Sequence, residues 1–432
     1  MKLIPNIPKT ERKRVIIVGG GFAGLKLMRK LSCNDFQIII LDKNNFHQFQ
    51  PLLYQVATSG LEPSAISFPL RKILQNEKKI HFRIAQLTKI NSERKEIETN
   101  IGSLTYDYLI LSMGAGPNYF GQRNIQNFTY SMKTASDAIL IRNTILENFE
   151  QALLETNQEK VEGFLNVVLV GGGPTGVELA GALAEMKNYI FPKDYPELDV
   201  SKMRIVIYEA ASRVLAGMSE QASAKALKYL QKIGVEVHLN SRVLDYDGMN
   251  LKISDDSSVS SKMVVWAAGI KANMAQGLEK ECFGKGARIC VDRYNRVKNS
   301  ANIFALGDIC IMETPRYLDG HPQVAQVAIQ QAKLLGENLP KLILGKKIKP
   351  FEYRDKGTMA TIGRNLAVAD LPGLKLSGFI AWVLWSFVHL FTIVGVKNRM
   401  SIFLNWTWNY FTYDQSLRLL IKPKIRMLEN DA

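Results

Sequence analysis

The stretch VIIVGGGFAGLKLMRKL, residues 15–31, decides the fold. Val15 to Val18 form a short β-branched run without polar interruption, which predicts a strand buried on both faces of a parallel sheet. Gly19, Gly21 and Gly24 follow at G-x-G-x-x-G spacing, and a helical pattern begins within them. Each glycine has a separate reason. The first permits the tight turn, the second lets backbone approach a pyrophosphate, and the third lets the helix pack on the strand. The helix N-terminus then offers free N–H groups and a positive dipole to phosphate. A second strand, FQIIILDK, ends in Asp42, 18 residues after Gly24. A carboxylate there can accept hydrogen bonds from adenosine ribose hydroxyls. A lone glycine pattern is a weak signal; strand, helix and acid together predict a dinucleotide-binding fold.

The same arrangement recurs at NVVLVGGGPTGVELAGALAEM, residues 166–186, with Gly171, Gly173 and Gly176 at the same spacing. Pro174 suits the first helical turn, where a missing N–H costs nothing. The next strand, MRIVIYEA, ends in Glu209, 33 residues past Gly176, and NYIFPKDYPELDVSK reads as the insertion that lengthens the interval. Glu209 would repel a 2′-phosphate and so favours NAD(H) over NADP(H), although Arg213 nearby weakens that preference. Two dinucleotide folds in one chain imply two dinucleotides, and a redox enzyme with both pairs a flavin with a nicotinamide.

Composition narrows the alternatives. The 432 residues are 47% hydrophobic and 22% charged, which fits a globular chain of several domains and excludes a disordered or collagen-like one. Four cysteines without a C-x-x-C pair exclude a disulfide scaffold, a zinc finger and a cysteine-ligated cluster of ordinary spacing. The five histidines lack metal-site spacing, so no metal is expected. Lys plus Arg is 55 against 40 for Asp plus Glu, a net charge of +15. The excess is spread along the chain without a nucleic-acid signature, so phosphate-rich cofactors and a membrane surface are the expected anionic partners, not nucleic acid. MKLIPNIPKTERKR carries no apolar segment of the secretory kind, and the cytoplasmic side is expected.

Three further strands punctuate the chain. YDYLILSMGAG closes on Ser112-Met113-Gly114, KMVVWAAGI on Ala267-Ala268-Gly269, and ANIFALGDI on Gly307-Asp308 before a helical stretch from Gln323 to Leu339. Asp308 could hydrogen-bond flavin ribitol hydroxyls; alone, it would read as a turn or helix-cap acid. The order of these elements resembles the two-dinucleotide flavoproteins that include glutathione reductase. The dithiol pair of that branch is missing from FHQFQPLLYQVA, residues 46–57. That segment, with GGGPTGVELAG, VVWAAGI, FALGD, AQVAIQQA (325–332), YRDKGTMATIGRNLAV (from Tyr353) and VHLFTIVGVKNR, is similar to the type II NADH:quinone oxidoreductases, from about residue 12 to 425. Met113 departs from the Thr common at that position.

The resemblance implies an α/β fold of two Rossmann-like domains plus a C-terminal helical region that anchors to membrane. The expected limits are residues 1–120 with 296–372 for an FAD-binding domain, 121–295 for an NADH-binding domain, and 373–432 for the anchor. The FAD candidates are Gly19, Gly20, Gly21, Phe22, Ala23, Gly24, Asp42, Lys43, Gln50, Gly114 and Asp308. The NADH candidates are Gly171, Gly173, Pro174, Thr175, Gly176, Glu178, Glu209, Ala268 and Gly269. The resemblance puts Glu178 among the catalytic residues, near the redox rings; by position alone it would complement the helix dipole. It also assigns the run holding Gln326 and Gln330, which share a helix face, to quinone, counting both with Glu178 as catalytic candidates, with Lys356 and Ile393 as further pocket candidates. The implied reaction is two-electron transfer from NADH through FAD to a membrane quinone without proton pumping, on the cytoplasmic face of the inner membrane. Sulfide:quinone oxidoreductase, with Cys310 as its candidate thiol, and an NADH-sensing interaction protein similar to apoptosis-inducing factor are the rivals.

The run GFIAWVLWSFVHLFTIVGV, residues 378–396, lacks formal charge for 19 residues, close to the ~20 that span a bilayer. It could span, pack in a core, or lie in the interface. His389 and the tryptophans oppose a simple span, and the aromatic, basic stretch from residue 402 to 426 favours the interface. Monotopic attachment through 374–432 is the expectation, with a homodimer possible through the same region.

Overall fold

The computed structural model describes residues 2–31, 35–77, 79–274, 276–415 and 417–421. It divides into two units: Met1–Gln48, Ser67–Asn118 and Ile270–Lys356 form the first, and Phe49–Ile66, Tyr119–Gly269 and Gly357–Ala432 the second.

In the first unit Lys13–Val18 is the centre of a five-stranded parallel sheet, flanked by Phe36–Asp42 and Tyr108–Leu111, with Ile80–Ile84 and Ile303–Ala305 at the edges. Val15 pairs with Ile38 on one side and Tyr108 on the other. Val15, Ile16 and Ile17 are wholly buried, as an unbroken β-branched run in a two-faced sheet requires. The helix Phe22–Met28 leaves the glycine turn and packs on the helix Ala325–Ile343. Its entry depends on Gly24, because a Cβ there would lie 1.9 Å from the Gly19 carbonyl oxygen.

The second unit repeats this plan. Val167–Val170 is central, between Ile205–Tyr208 and Met263–Trp266, with Glu236–His238 and Tyr130–Ser131 outside them, all parallel. The helix Pro174–Tyr189 follows its glycine turn, and at Gly176 a Cβ would lie 2.0 Å from the Gly171 oxygen. The far side of this helix meets an antiparallel sheet of Thr358–Gly363, Leu366–Leu371 and Leu374–Ser377. The approach is close enough that a Cβ at Gly181 would strike the Ile362 carbonyl.

The apolar run 378–396 is not one helix. Phe379–Thr392 ends at Ile393, whose backbone is extended, and Gly395 at φ 87° turns the chain into Val396–Thr412. The Arg399 guanidinium closes the break by donating to the Ile393 carbonyl at 2.8 Å. Among the described residues no helix is long and apolar enough to cross a membrane. Phe379, Ile380, Val383, Phe387 and Phe391 are nevertheless exposed on the first of these helices, and Val396, Met400, Phe403, Leu404, Trp408 and Phe411 on the second. The part of the basic, aromatic stretch beyond residue 421 lies outside the described residues.

The grouping of residues differs from the limits expected from sequence in three places. Residues 49–66 join the second unit because the last helix holds them: Asn398 donates to the Ser64 and Ala65 carbonyls at 2.9 Å, and the Trp406 indole donates to Gln55 at 2.7 Å. Residues 357–372, expected in the FAD-binding domain, join it through the sheet against Pro174–Tyr189, as does the expected anchor from 373. Residues 270–295 fall in the first unit, where Ile270–Ala272 pairs with Ala115–Pro117 and Ile289–Cys290 with Cys310–Ile311.

Candidate functional site

In the first unit the acid at the end of the second strand closes on the glycine turn. Asp42 accepts the Gly20 N–H at 2.6 Å through one oxygen and the Asn44 N–H at 2.7 Å through the other. Burial raises its pKa, and the two amide bonds oppose that rise. His47 holds the next peptide of the same turn. Its Nδ1 lies 3.0 Å from the Gly20 carbonyl oxygen, and since a carbonyl can only accept, Nδ1 carries the proton. Burial lowers the imidazole pKa, so the ring is neutral near pH 7. Its ring also meets Phe22 edge-on at 5.3 Å. Ser112 donates to the Val18 and Gly19 carbonyls at 3.0 and 2.9 Å. The turn is thus fixed from three sides, while the space where Gly21 and Gly114 would carry a Cβ is open. Lys43 is exposed beside Asp42. Ala23 is buried under the turn. A dinucleotide pyrophosphate fits this cradle; the residues present would hold FAD.

Reading the sequence missed His47 and Gln331. Their signals were thin: a histidine in a three-residue strand, and a glutamine on the helix face opposite the expected pair. Gln331 is buried and accepts the Gly307 N–H at 2.7 Å, which fixes the turn that carries Asp308, and Gln323 donates to the Asp308 carbonyl at 2.8 Å. Cys310 is buried beside Gln331, and burial pushes its thiol up to about 12. It is un-ionised at neutral pH and unsuited to dithiol chemistry.

Both members of the expected glutamine pair bond to the chain at 354–356. Gln326 accepts the Lys356 N–H at 3.1 Å, and Gln330 both accepts the Arg354 N–H at 3.1 Å and donates to its carbonyl at 2.9 Å. Four residues apart on one helix face, they hold the backbone of 354–356 as a neighbouring strand would. Lys356 is exposed.

The second unit repeats the acid clamp. Glu209 accepts the Gly172 N–H at 2.5 Å and the Ala211 N–H at 2.7 Å. Gly173 has open space where a Cβ would stand, Pro174 is the first helical residue, and Thr175 is half-buried behind it. The Ala267 amide donates to Val170, leaving Ala268 and Gly269 at the strand's end beside the turn. Arg213 is spent on its own loop, donating to the Met218 and Ala216 carbonyls at 3.0 and 2.9 Å. The residues here fit an unphosphorylated ribose. Gln50 also falls in this unit and donates to the Lys133 carbonyl at 3.3 Å.

Further along the same helix the second unit carries a half-open cavity of about 110 Å³. Glu178 and Glu185 line it from Pro174–Tyr189, Tyr54 and Gln55 from Leu53–Ala57, Thr361 and Arg364 from the antiparallel sheet, and Trp385 and Trp406 from the last two helices. Desolvation pushes Glu178 up to about 8, against the opposing pull of the Thr361 backbone and the Trp385 indole. Its carboxyl is therefore largely protonated at neutral pH. Tyr54 accepts from Gln55 at 2.8 Å. His389 stacks on Trp385 with ring centres 4.1 Å apart, and its Nδ1 lies 2.8 Å from the Trp385 carbonyl. Burial pushes His389 down to about 4. Ile393 is wholly buried at the end of the same helix. This is an apolar, aromatic slot with a protonated acid in its wall.

Residues 13–332 match the pyridine nucleotide-disulphide oxidoreductase family, and residues 356–412 match the NDH2 C-terminal domain. The chain is 34% identical over 428 residues to the type II NADH:quinone oxidoreductase Ndh of Mycobacterium tuberculosis, covering 94% of this chain and 90% of that protein. It is 27% identical over 377 residues to the type II NADH:quinone oxidoreductase of Staphylococcus aureus, covering 85% and 92%. In fold it is similar to NDH2 from Plasmodium falciparum solved in complex with NADH, with a TM-score of 0.87 at 22% identity over 95% of this chain and 100% of that one. The sulfide:quinone oxidoreductase of Aquifex aeolicus is a more distant likeness, with a TM-score of 0.69 at 16% identity over 93% and 95%.

Proposed function

The chain belongs to the type II NADH:quinone oxidoreductases, and on that footing we propose how its own residues carry the reaction. It oxidises NADH and reduces a quinone, with FAD between them. FAD, when bound, supplies the relay that takes two electrons from the nicotinamide and releases them to the quinone. The first unit's cradle of Gly19 to Gly24, with Asp42, Gly114 and Asp308, would hold FAD. The second unit's Gly171 to Gly176, with Glu209, Ala268 and Gly269, would hold NADH. One observation carries this assignment: the same acid-to-glycine clamp, Asp42 on Gly20 and Glu209 on Gly172, appears once in each unit. Arg213 is spent on loop carbonyls and so is not aimed at a 2′-phosphate beside Glu209, which supports NADH over NADPH.

In this reading Glu178 keeps a proton in the aromatic cavity for delivery as the quinone becomes a quinol. Ile393 closes the apolar end of that cavity's helix. Gln326 and Gln330 act by holding the backbone of 354–356 within the first unit. The exposed apolar faces of Phe379–Thr392 and Val396–Thr412, with the exposed Lys375 and Lys397 beside them, support a resting place on an anionic lipid surface. We place the protein on the cytoplasmic face of the inner membrane, bound to one leaflet and translocating no protons. A second copy of the chain is the other partner such faces would suit.

The test is an anaerobic titration of the purified protein with NADH. Bleaching of the yellow flavin absorbance, its return on adding a quinone, and a much weaker response to NADPH are expected. A flavin that stays oxidised under excess NADH overturns the proposal.

A further inference from the structure

The cavity holds two acids, and the reaction as read above gives work to one. Reduction of a quinone by NADH consumes one proton from solvent: NADH + H⁺ + quinone gives NAD⁺ and quinol, the hydride carrying both electrons and the other hydrogen. That proton has to reach the aromatic slot. Glu178 and Glu185 are seven residues apart, two turns along one face of Pro174–Tyr189, with the small Ala182 between them, and all three line the same cavity. Seven residues of helix rise roughly 10 Å, too far for a direct proton transfer between the carboxyls. The cavity's volume of about 110 Å³ has room for several waters.

The two ends of this cavity differ. Glu178 stands among Tyr54, Thr361 and Trp385, with no cation lining the cavity beside it. Glu185 stands at the other end, where the Arg364 N–H donates to its carboxyl, and one turn before the exposed Asn188 and Tyr189. The Arg364 guanidinium is fixed in turn, donating to the Tyr410 and Asn409 carbonyls at 2.8 Å and stacking 3.5 Å over the Tyr413 ring. It therefore caps the last helix and presents a fixed positive charge to Glu185. Burial raises the Glu185 pKa and Arg364 pulls it back. Tyr54 and Tyr410 are the other titratable groups facing this cavity, and burial pushes the Tyr54 phenol well above its ordinary value.

We infer that Glu185 is the solvent-side member of a water-linked carboxyl pair and reloads Glu178 with the proton that quinone reduction consumes. In each turnover the Glu185 carboxyl gives its proton through the intervening water to the Glu178 carboxylate and recovers one from bulk solvent, so no charge accumulates. Glu185 touches no substrate and acts through Glu178. Arg364 sets its charge and position. The inference rests on the proposed reaction and on Glu178's part in it.

The experiment compares wild type with Glu185→Gln and Glu185→Asp, each purified with FAD and checked for flavin content. NADH bleaching and quinone reoxidation of the wild-type flavin come first; if they fail, the functional reading fails before this one is tested. Given a working wild type, kcat for quinone reduction is measured from pH 6 to 9 in H₂O and D₂O. The relay predicts that Glu185→Gln loses about tenfold in kcat at pH 9 and much less at pH 6, with a larger solvent isotope effect, equal to a barrier rise of about 1.4 kcal/mol. Glu185→Asp recovers part of the loss, and a small weak acid in the buffer recovers part of it in Glu185→Gln. A Glu185→Gln enzyme with the wild-type pH profile overturns the inference. So does one slowed equally at every pH and not relieved by Asp or by the weak acid, since that is the signature of a structural role.

Discussion

The Glu209 carboxylate accepts the Gly172 N–H at 2.5 Å, so the acid that ends one strand fixes the glycine turn that follows another. The same group that would read the ribose also builds the loop that would cradle the pyrophosphate. Glu209→Ala should therefore damage both. Two charge-assisted bonds are lost, and a stability loss of about 2–3 kcal/mol is expected, together with a KM for NADH raised about tenfold or more. Thermal unfolding and steady-state kinetics measure the two effects; a normal KM would show that the acid serves the turn alone.

The third and second glycines of that turn should part company. Gly176→Ala places a Cβ 2.0 Å from the Gly171 oxygen, a contact that costs about 3 kcal/mol or more and should leave little folded protein. Gly173→Ala meets no protein atom within 4 Å and should melt close to wild type. Its methyl would occupy the space left for the pyrophosphate, so NADH affinity should fall about tenfold. Equal melting temperatures for the two variants would refute the distinction.

Glu178 gives the reaction a pH limit. With its pKa pushed up to about 8, the proton is present below that pH and lost above it. Quinone reduction by wild type should decline with a midpoint near pH 8, and Glu178→Gln should be slow throughout and lack that midpoint. Stability follows the same linkage. Above about pH 4.5 the unfolded carboxyl ionises while the folded one does not, so the folded state loses stability as pH rises toward 8. Glu178→Gln should show a flatter dependence across that window in denaturant titrations.

His389 carries the opposite sensitivity. Its folded pKa of about 4 lies below the ordinary histidine value of about 6.5, so the unfolded state takes up a proton first as pH falls. Stability is complete above about pH 6.5 and declines toward pH 4, by on the order of 3 kcal/mol. His389→Phe should remove much of that acid sensitivity, read as a smaller difference between melts at pH 7 and pH 4.5.

The exposed apolar faces of the last two helices predict a lipid-binding defect that leaves the chemistry intact. Phe387→Asp with Phe403→Asp puts two charges among Phe391, Met400 and Leu404. Sedimentation with anionic vesicles should drop several-fold, while NADH oxidation with a water-soluble quinone continues. Undiminished vesicle binding would assign those faces to another partner.

The fold was legible in the residues because its signals are local. A β-branched run, three glycines and an acid occupy 28 residues in the first copy and 43 in the second, and each obeys a steric or electrostatic rule that needs no distant partner. Written twice, they announced two parallel sheets, and the structure has both, with Val15–Val18 and Val167–Val170 at their centres. The acids Asp42 and Glu209 were found the same way. What the chain could not announce was long-range. The segment 49–66 sits between first-unit strands in sequence, yet Asn398 and Trp406 claim it for the second unit. Gln326 and Gln330 read as a helical pair, but what they grip, the backbone of 354–356, is set by how a later loop segment returns. Nothing in the sequence singles out Glu185; its partner Arg364 lies about 180 positions further on. Apolar periodicity fixes which face of an element is buried; which neighbour it is buried against depends on contacts between residues far apart in the chain, and those form only when the whole core packs.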